Sequence, residues 1–516
     1  MFNIILNNNK GYNWFSSKGC HVKGFAFDAK NNLLRGETFI DSIIENKSVI
    51  KEYIKNLNGL FSIIIEENDY LFASVDKLRT FPLFYTMQNN QIILTDDSHI
   101  LINNQELNAL SIDEFLSCRF VNKQYTFFNN ICQIEAGEYV TFLKNYKEKE
   151  FYYSYITNHF NKNNFNKLQQ NFVEIMDTII KHIIEYANGR EFVLPLSGGY
   201  DSRIIATLLK KNNYSNILCY TYGRRDSYEV EISNKVAKEL GFKWEFIEYN
   251  EHTIPKNYIE DKEFLEFLEY ASNNVSLPHI QDYFAVKYMS ENKIISNDAI
   301  FIPGHSGDLL GGTNLSNPKS NKDNIVDNII KKQYTINNIN FNDIRNKTLK
   351  YLTEYDLDEE FYYSVDDNYN IRERQSKFIV NSCRVYEFFG YQFLLPLWDD
   401  ELVDFFKILP VYLKENSYFF EKVITEELFA PFNVDFIQEK PKQSLIKNII
   451  KNTIKNFFPE IIKNKLIEKN YKDVNNFFLL TEPIQKSIQK QFPASNLNGI
   501  LAYWYINKFI KRLEDE

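Results

Sequence analysis

The sequence has few cysteines, no excess of positive charge and no long apolar run. Its 5 cysteines in 516 residues stand singly, which excludes a disulfide framework or a zinc ribbon and predicts buried thiols in a reducing cytosol. Lys and Arg number 59 against 68 Asp and Glu, and the net charge of -9 argues against nucleic acid as a partner. No window approaches the roughly 18 apolar residues that span a bilayer, and no signal-peptide pattern follows Met1. We therefore expect a cytoplasmic protein with no membrane or nucleic-acid partner.

Two common nucleotide-binding patterns are also missing. Neither G-x-x-x-x-G-K-[ST] nor a G-x-G-x-x-G that follows a strand occurs in the chain. The chain is long and rich in apolar residues, with 44% hydrophobic and 16% aromatic residues. At roughly 150 residues per domain, this length predicts about two to four domains.

Short strands and turns dominate the region 1–155. The runs 60–65 and 70–75 are strand-like, and the turn signal Asn58-Gly59 precedes the first of them. This pattern predicts an α+β domain built on packed sheets. The polar stretch from Asn161 to Lys167 is almost all Asn and Lys, which predicts a linker.

The pattern changes over the region 165–516. Apolar residues at helical spacing between Leu168 and Ile184 predict an amphipathic helix that ends at Asn188-Gly189. Strand patterns then alternate with helical patterns, which predicts an α/β domain with a doubly wound parallel sheet and right-handed crossovers. The predicted strands are 191–196, 217–222 and 244–247. The Asn- and Lys-rich segment 314–350 predicts a surface loop and an exposed helix.

The motif Ser197-Gly198-Gly199-Tyr200-Asp201-Ser202 lies between a predicted strand and a helix, where open α/β sheets bind ligands. Two glycines let backbone N–H groups approach an oxyanion, and two serine hydroxyls and the helix N-terminus add donors. Asp201 would repel a bare phosphate, so its presence favours a divalent cation between carboxylate and phosphate. The motif therefore predicts a phosphate site, with an ordinary strand-to-helix turn as the alternative.

Ser-Gly-Gly-x-Asp-Ser after a strand resembles the pyrophosphate loop of ATP pyrophosphatases, and nearly the whole chain resembles the asparagine synthetase family, including its β-lactam synthetase-type members. In that family the loop holds the pyrophosphate of ATP while a carboxylate attacks the α-phosphorus, and an amine then opens the acyl-adenylate. The resemblance implies an N-terminal α+β sandwich of the N-terminal-nucleophile hydrolase type, like a class II glutamine amidotransferase, over 1–155. It implies a C-terminal adenine nucleotide alpha hydrolase-like domain with helical additions over 165–516.

The resemblance also implies roles for individual residues. Tyr220-Thr221-Tyr222-Gly223 resembles the segment that flanks adenine and ribose, 303–308 resembles the family's S-G-E-G-S-D segment, and 440–442 resembles its R-P-K segment, whose Lys neutralises charge in the transition state. The implied ATP contacts are Leu196, Ser197, Gly198, Gly199, Asp201, Ser202, Tyr222 and Gly304. The implied ligands of Mg²⁺ are Asp201 and Asp308, and the implied catalytic residues are Lys442 and His305. A turn cap at Asp308 and a solvated lysine at Lys442 are the alternatives.

The chain departs from the family pattern at Phe2 and His305, and Gln392-Phe393-Leu394 stands where the family has E-x-R before P-F-L-D. Asparagine synthetases have Cys directly after the initiator Met, and this chain has Phe2, whose phenyl ring cannot replace a thiolate in nucleophilic attack. Cys20 is internal, so we expect an amidotransferase scaffold without glutaminase activity. His305 stands where the family has Glu or Tyr, and an imidazole with a pKa near 6.5 suits a general base. The alternative is a histidine satisfied by a backbone carbonyl.

The expected function is an ATP- and magnesium-dependent ligase that adenylates a small-molecule carboxylate, releases pyrophosphate and forms an amide with an amine or ammonia. The acid stays open among aspartate, a sugar uronic acid, a peptide side chain and a β-amino acid that cyclises. The nitrogen comes from ammonia, from a separate supplying protein or from the substrate itself. The alternatives are a non-catalytic nucleotide-binding or assembly protein and another ATP pyrophosphatase-type synthetase. A homodimer also stays open, because relatives are often dimers.

Overall fold

The computed structural model describes the residue ranges 2–8, 10–88, 91–143, 146–312, 320–336, 341–352, 355–436, 473–493 and 496–510. Within these ranges the backbone forms three sheets and a set of surrounding helices. No helix of the described part has both the length and the apolar character that crossing a membrane requires.

Two sheets occupy the N-terminal region. Their strands are β1 (Phe2–Ile5), β2 (Trp14–Ser17), β3 (Cys20–Phe27), β4 (Leu33–Arg35), β5 (Asn58–Glu67), β6 (Tyr70–Val75), β7 (Phe84–Gln88), β8 (Gln91–Thr95), β9 (Cys132–Gln133), β10 (Glu138–Leu143) and β11 (Tyr146–Phe151). One sheet has the order β1-β8-β7-β9, and the other has the order β11-β10-β6-β5-β3-β2 with β4 beside β3.

The two sheets pack face to face because successive residues of a strand point to opposite sides. In β5, Ile64 belongs to the buried cluster between the sheets, where it joins Leu94 of β8. Its neighbours Ile63 and Ile65 belong to a second cluster, which the helix at 37–45 covers. The predicted α+β sandwich is confirmed.

The third sheet is parallel throughout and has the order β14-β13-β12-β15-β16. Its strands are β12 (Phe192–Pro195), β13 (Ile217–Gly223), β14 (Lys243–Glu248), β15 (Ile300–Phe301) and β16 (Gln392–Phe393). From β12 the chain moves to β13 and β14 on one side and returns to β15 on the other. The loops after β12 and β15 therefore diverge at the position where open α/β sheets bind ligands.

Helices cover these sheets and fill the C-terminal region. The α-helices are α1 (Glu37–Glu45), α2 (Ile50–Tyr53), α3 (Ala109–Cys118), α4 (Phe165–Ala187), α5 (Tyr200–Lys211), α6 (Tyr228–Leu240), α7 (Lys262–Ser272), α8 (Tyr283–Glu291), α9 (Gly307–Gly311), α10 (Ile325–Gln333), α11 (Phe341–Leu352), α12 (Ser364–Tyr369), α13 (Arg384–Phe388), α14 (Asp400–Lys407), α15 (Val411–Lys414), α16 (Tyr418–Ile424), α17 (Phe478–Ser487) and α18 (Leu497–Tyr505). Segments of π-helix occur at Asn370–Ile379, Thr425–Phe429 and Ile506–Ile510.

Helix α4 begins within the stretch that the sequence predicts as a linker. The side chain of Asn164 accepts a hydrogen bond from Lys167 N at 3.0 Å, so three residues of the predicted linker are already helical. An N-cap of this kind contributes about 1 kcal/mol to helix stability. The predicted end is confirmed, because Asn188 adopts a left-handed conformation with φ of 49°.

Helix α10 contradicts the prediction of an exposed helix between residues 314 and 350. Its Ile325, Val326 and Ile329 are buried in a cluster with Tyr362 and Val365. The polar residues of α10 lie on its other face. The spacing of the apolar residues, and not the overall composition of the segment, therefore determines which face of the helix is buried.

The sandwich and the parallel sheet share one interface. The hydroxyl of Tyr12 donates to the carbonyl oxygen of Phe393 in β16 at 2.6 Å. The side-chain amide of Asn58 donates to Asp399 Oδ2 at 2.9 Å, and its oxygen accepts from Asp400 N at 3.2 Å. Asp399 also caps α14, which is a structural role. The domain limits 1–155 and 165–516 stay a prediction.

Candidate active site

The loop after β12 is held in shape by its own serines. Ser197 N donates to Ser202 Oγ at 3.2 Å, and Gly199 N donates to Ser197 Oγ at 3.1 Å. The two hydroxyl oxygens lie 3.3 Å apart. Gly199 precedes α5 without a side-chain cap, so the first turn of the helix directs backbone N–H groups toward the loop. This arrangement suits an anion.

The loop after β15 approaches the first loop so closely that Gly304 must be glycine and a side chain at Gly307 would displace Asp201. A Cβ on Gly304 would lie 2.5 Å from Ser202 N. A Cβ on Gly307 would lie 2.8 Å from Asp201 Oδ1. Since real Cβ atoms do not come this near, only glycine lets the two loops meet. The predicted ATP contacts therefore lie together at the switch point of the sheet.

A segment of π-helix positions the second loop. Ser306 has a φ of 70° and donates through Oγ to Gln375 Oε1 at 2.7 Å. Gln375 lies in the π-helical segment Asn370–Ile379. A serine in the left-handed region is strained, and such strain and π-helical turns both concentrate at functional sites.

Arg203 links the first loop to the segment that precedes the predicted Lys442. Its side chain is 0% exposed. Nη2 donates to the carbonyl oxygen of Gly198 at 3.1 Å, and Nη1 donates to the carbonyl oxygens of Val434 and Phe436 at 3.0 Å each. Lys442 itself lies outside the described residues. Arg203 thus fixes the loop against residues 434–436.

His305 contacts two residues of the 3₁₀ turn Val380–Cys383, which precedes α13. Its Nε2 is 3.4 Å from Ser382 Oγ, and its Nδ1 is 3.7 Å from Cys383 Sγ. Burial and, to a smaller extent, the neighbouring His279 lower the pKa of His305 to about 4, while Asp282 opposes the shift. The expected pKa near 6.5 is therefore wrong for the structure without ligand, because the ring is desolvated.

Asp282 is a buried carboxylate beside the histidine. Tyr386 donates its hydroxyl to Asp282 Oδ2 at 3.1 Å. Burial raises the pKa of Asp282, and hydrogen bonds from Tyr222 and Tyr386 and the charge of His305 work against this rise. Tyr222 in turn stacks on Tyr249 with ring centroids 4.9 Å apart. A predicted nucleotide contact and the predicted base therefore interact with the same carboxylate.

The floor of the site comes from β12 and β13. Leu196 N donates to the carbonyl oxygen of Tyr220 at 2.8 Å, and Thr221 Oγ1 donates to the carbonyl oxygen of Leu196 at 2.7 Å. Trp244 Nε1 donates to Thr221 Oγ1 at 3.2 Å. These bonds hold Leu196 at the base of the loop, next to the strand that carries Tyr222.

Comparisons with known proteins agree with this architecture. The family described as "Glutamine amidotransferase domain" matches residues 37–153, and the family described as "Queuosine biosynthesis protein QueC" matches residues 191–275. The microcin J25-processing protein McjC of Escherichia coli is 25% identical over 448 residues, which are 83% of this chain and 82% of that protein. A probable glutamine-hydrolyzing asparagine synthetase of Acanthamoeba polyphaga mimivirus is 23% identical over 436 residues, 81% of this chain and 68% of that protein. Together these matches support an asparagine synthetase-family protein.

Two solved structures resemble parts of this asparagine synthetase-family protein. An NH3-dependent NAD synthetase from Campylobacter jejuni subsp. jejuni NCTC 11168 shares 19% identity and a TM-score of 0.19, and the match covers 29% of this chain and 61% of that one. A glutamine phosphoribosylpyrophosphate amidotransferase from B. subtilis shares 9% identity and a TM-score of 0.19, and the match covers 56% of this chain and 63% of that one. This family member thus spans less than two thirds of either structure.

The predicted site residues of this family member divide into two groups. The structure brings Leu196, the Ser197–Ser202 loop, Tyr222, Gly304 and His305 to one end of the parallel sheet. The side chain of Asp308 and the whole of Lys442 lie outside the described residues, so their predicted roles stay predictions.

Sequence reasoning missed four residues of the site, namely Arg203, Asp282, Ser382 and Cys383. Arg203 directly follows the serine-glycine motif, and this position next to the motif is a signal that could have identified it. The other three are separated from His305 by 23 to 78 residues and match no motif. Their contribution becomes visible only when the chain is folded.

Proposed function

We propose that the protein is an ATP- and magnesium-dependent ligase that adenylates a carboxylate and transfers the acyl group to an amine or ammonia. The observation that carries this proposal is the contact between the Ser197–Ser202 loop and Gly304 at the switch point of a parallel sheet. The loop offers backbone N–H groups and two hydroxyls to an anionic phosphate chain. Membership of the asparagine synthetase family supports the same class of reaction.

The proposed reaction has two steps. In the first, a carboxylate oxygen bonds to the α-phosphorus of ATP, the bond to the bridging oxygen breaks, and pyrophosphate leaves. In the second, a nitrogen bonds to the acyl carbon, the bond between that carbon and the AMP oxygen breaks, and the nitrogen gives up one proton. The site must therefore stabilise negative charge in the first step and accept a proton in the second.

His305 is the proposed acceptor of that proton. A pKa of about 4 keeps its imidazole neutral at pH 7, so that a ring nitrogen carries a free lone pair. The same low pKa makes the ring a weak base, and the charge of Asp282 offsets part of this weakness because it favours the protonated ring. We infer that Asp282 stabilises the imidazolium as the proton arrives.

Asp201 fits the proposed magnesium ion. Its carboxylate is the kind of hard oxygen ligand that Mg²⁺ prefers, and Mg²⁺ in such sites is held by one or two carboxylates together with substrate phosphates. Gly307 leaves the space beside Asp201 Oδ1 free of a side chain. Asp308 and Lys442 complete the proposed set, as second metal ligand and as the cation that neutralises transition-state charge.

The nitrogen is proposed to come from ammonia, from a separate protein or from the substrate, and not from glutamine hydrolysed in the sandwich. Phe2 lies in β1, paired with Ile92, and offers no nucleophile. Cys20 is 0% exposed in β3, and burial raises the pKa of its thiol. A thiol of this kind does not replace the missing nucleophile.

A peptide is the carboxylate substrate that we propose to test first. One relative is named for the processing of a microcin, which favours a peptide side chain over aspartate, a uronic acid or a β-amino acid. The side-chain carboxylate of an Asp or Glu residue in a peptide can react with ATP in the same way as the carboxylate of a small acid. The proposal is therefore unchanged if a small acid is the better substrate.

The test is nucleotide product analysis with the full-length protein, ATP, Mg²⁺ and a panel of these acids with amines. AMP and pyrophosphate in equal amounts, dependent on the acid, support the proposal. Asp201→Asn should lower the rate at least about 100-fold, as the loss of a group that stabilises developing charge does. Asp298→Asn, at an exposed aspartate, is the matched control and should retain the rate. No nucleotide turnover with any acid would instead favour a non-catalytic nucleotide-binding protein.

A further inference from the structure

A cavity of about 340 Å³ lies between the sandwich and the C-terminal domain, outside the site described above. Residues of both domains line it. Lys10, Lys23 and Asp96 contribute from the sandwich, and Glu269 and Arg384 contribute from the other side. Cavities at domain interfaces that combine apolar walls with a few placed polar groups are the usual form of small-molecule sites.

Lys23 is a buried cation with unused hydrogen-bonding capacity. It lies within β3 and is 5% exposed. Its Nζ is 3.8 Å from Asp96 Oδ2 and 3.9 Å from Glu387 Oε1. In the described part of the chain no acceptor comes within hydrogen-bond distance of this Nζ. An ammonium group carries three donors, and leaving them unmade in a buried position is costly.

Arg384 provides a second cation on the inner wall. It is 5% exposed, and its guanidinium lies 4.1 Å from the centroid of the Tyr270 ring. Nη1 donates to Glu387 Oε2 at 2.6 Å, while its buried Nε has no partner among the described residues. Lys23 and Arg384 together offer donors that a carboxylate would satisfy.

Carboxylates surround the mouth of the same cavity. Glu266 and Glu269 are exposed on one face of α7, one helical turn apart. Asp97 lies on the opposite domain. A ligand with a carboxylate directed inward and an ammonium group directed outward would meet opposite charge at both ends.

We propose that this cavity binds a free α-amino acid in its zwitterionic form. Its volume suffices for an amino acid, and its lining offers cations for the carboxylate and carboxylates for the ammonium group. The site is separate from the nucleotide loop. It shares with the candidate active site only the segment from Ser382 to Glu387, in which Ser382 and Cys383 contact His305 and Arg384 lines the cavity. A bound ligand would therefore contact the segment that holds His305.

The test measures binding and not turnover, so its result is independent of the proposed ligase activity. The proteinogenic amino acids are screened at millimolar concentration by thermal shift on the full-length protein without ATP, and calorimetry gives the dissociation constant of the best ligand. At least one amino acid should bind. Its N-acetylated form and its carboxamide form should each bind at least about tenfold more weakly, because each lacks one charge.

Two glutamates of α7 provide a pair of variants, namely Glu269, which is exposed, and Glu263, which is half-buried and pairs with Lys287. Glu269→Gln, at the cavity mouth, should weaken binding at least about tenfold, and Glu263→Gln, outside the cavity, should not. Lys23→Met should abolish binding, and its circular dichroism spectrum checks that it folds. The proposal is overturned if no amino acid binds, if acetate binds as tightly as the amino acid, or if Glu269→Gln and Glu263→Gln bind equally.

Discussion

Arg203 donates a hydrogen bond from Nη2 to the carbonyl oxygen of Gly198 at 3.1 Å, so the helix that follows the Ser197–Ser202 loop also holds this loop in place. The same guanidinium holds the carbonyl oxygens of residues 434 and 436. Arg203→Met removes all three bonds, and the carbonyl oxygen of Val434 loses its Arg203 donor in a buried position. We expect the free energy of unfolding to fall by roughly 3 kcal/mol in urea titrations.

The same variant should weaken ATP binding, because the loop loses its attachment. Lys210→Met, at an exposed position of the same helix, is the control and should change neither quantity. If Arg203→Met bound ATP like the unaltered protein, the loop would not depend on these bonds. Arg203→Lys should have a stability and an ATP affinity between those of the unaltered protein and Arg203→Met. Lysine keeps the positive charge but lacks the planar guanidinium group that donates several hydrogen bonds.

Gly304→Ala tests the close approach of the two site loops. Its Cβ would lie 2.5 Å from Ser202 N and 2.7 Å from the carbonyl carbon of Asp201, so the loop must shift. We expect the dissociation constant for ATP, measured by calorimetry, to rise at least about tenfold. Gly189→Asn is the control, because nothing lies within 4 Å of that position and Asn tolerates the left-handed backbone. Unchanged ATP affinity in Gly304→Ala would show that ATP does not bind between these loops.

Two half-buried histidines with desolvated rings should make the fold less stable in mild acid. Burial lowers the pKa of His305 and of His279 to about 4. Between pH 6.5 and pH 4 the unfolded chain therefore binds more protons than the folded one, so stability falls as the pH falls through this window. Each histidine should cost about 2 kcal/mol at pH 5 relative to pH 7.

Urea titrations at pH 7 and pH 5 check this prediction. His305→Asn and His279→Asn should each reduce the difference between the two pH values by about 2 kcal/mol. His252→Asn, at an exposed histidine, serves as the control. A pH dependence that survives in both His305→Asn and His279→Asn would mean that other groups cause it.

The N-terminal sandwich should not hydrolyse glutamine. Phe2 lies in β1 and offers no nucleophile, and Cys20 is 0% exposed. A coupled glutamate assay should find no release above that of a heat-denatured control. Release at an enzyme-like rate would contradict the expectation, and its loss in Cys20→Ala would identify an unexpected nucleophile.

The geometry of the Ser197–Ser202 loop was predictable because its residues are contiguous in sequence. The environment of His305 was not, because Ser382 and Cys383 lie 77 and 78 residues away along the chain. The sequence also suggests an ordinary imidazole pKa, since desolvation is a property of the folded state. Local motifs thus predict donors and geometry, while burial and long-range contacts determine how acidic or basic each group is.

The same contrast between local sequence patterns and long-range contacts applies to the fold. Alternating strand and helix patterns predicted the parallel sheet, and Asn188-Gly189 predicted the end of α4. Helix α10 was misjudged because its apolar partners, Tyr362 and Val365, come more than 30 residues later. A polar composition does not reveal such a partner.

The most direct test is a crystal structure of the full-length protein grown with Mg²⁺ and a non-hydrolysable ATP analogue. We expect the phosphate chain to lie on the backbone N–H groups of the Ser197–Ser202 loop, with the metal between Asp201 and Asp308. An empty loop, or a nucleotide bound elsewhere, would contradict this expectation.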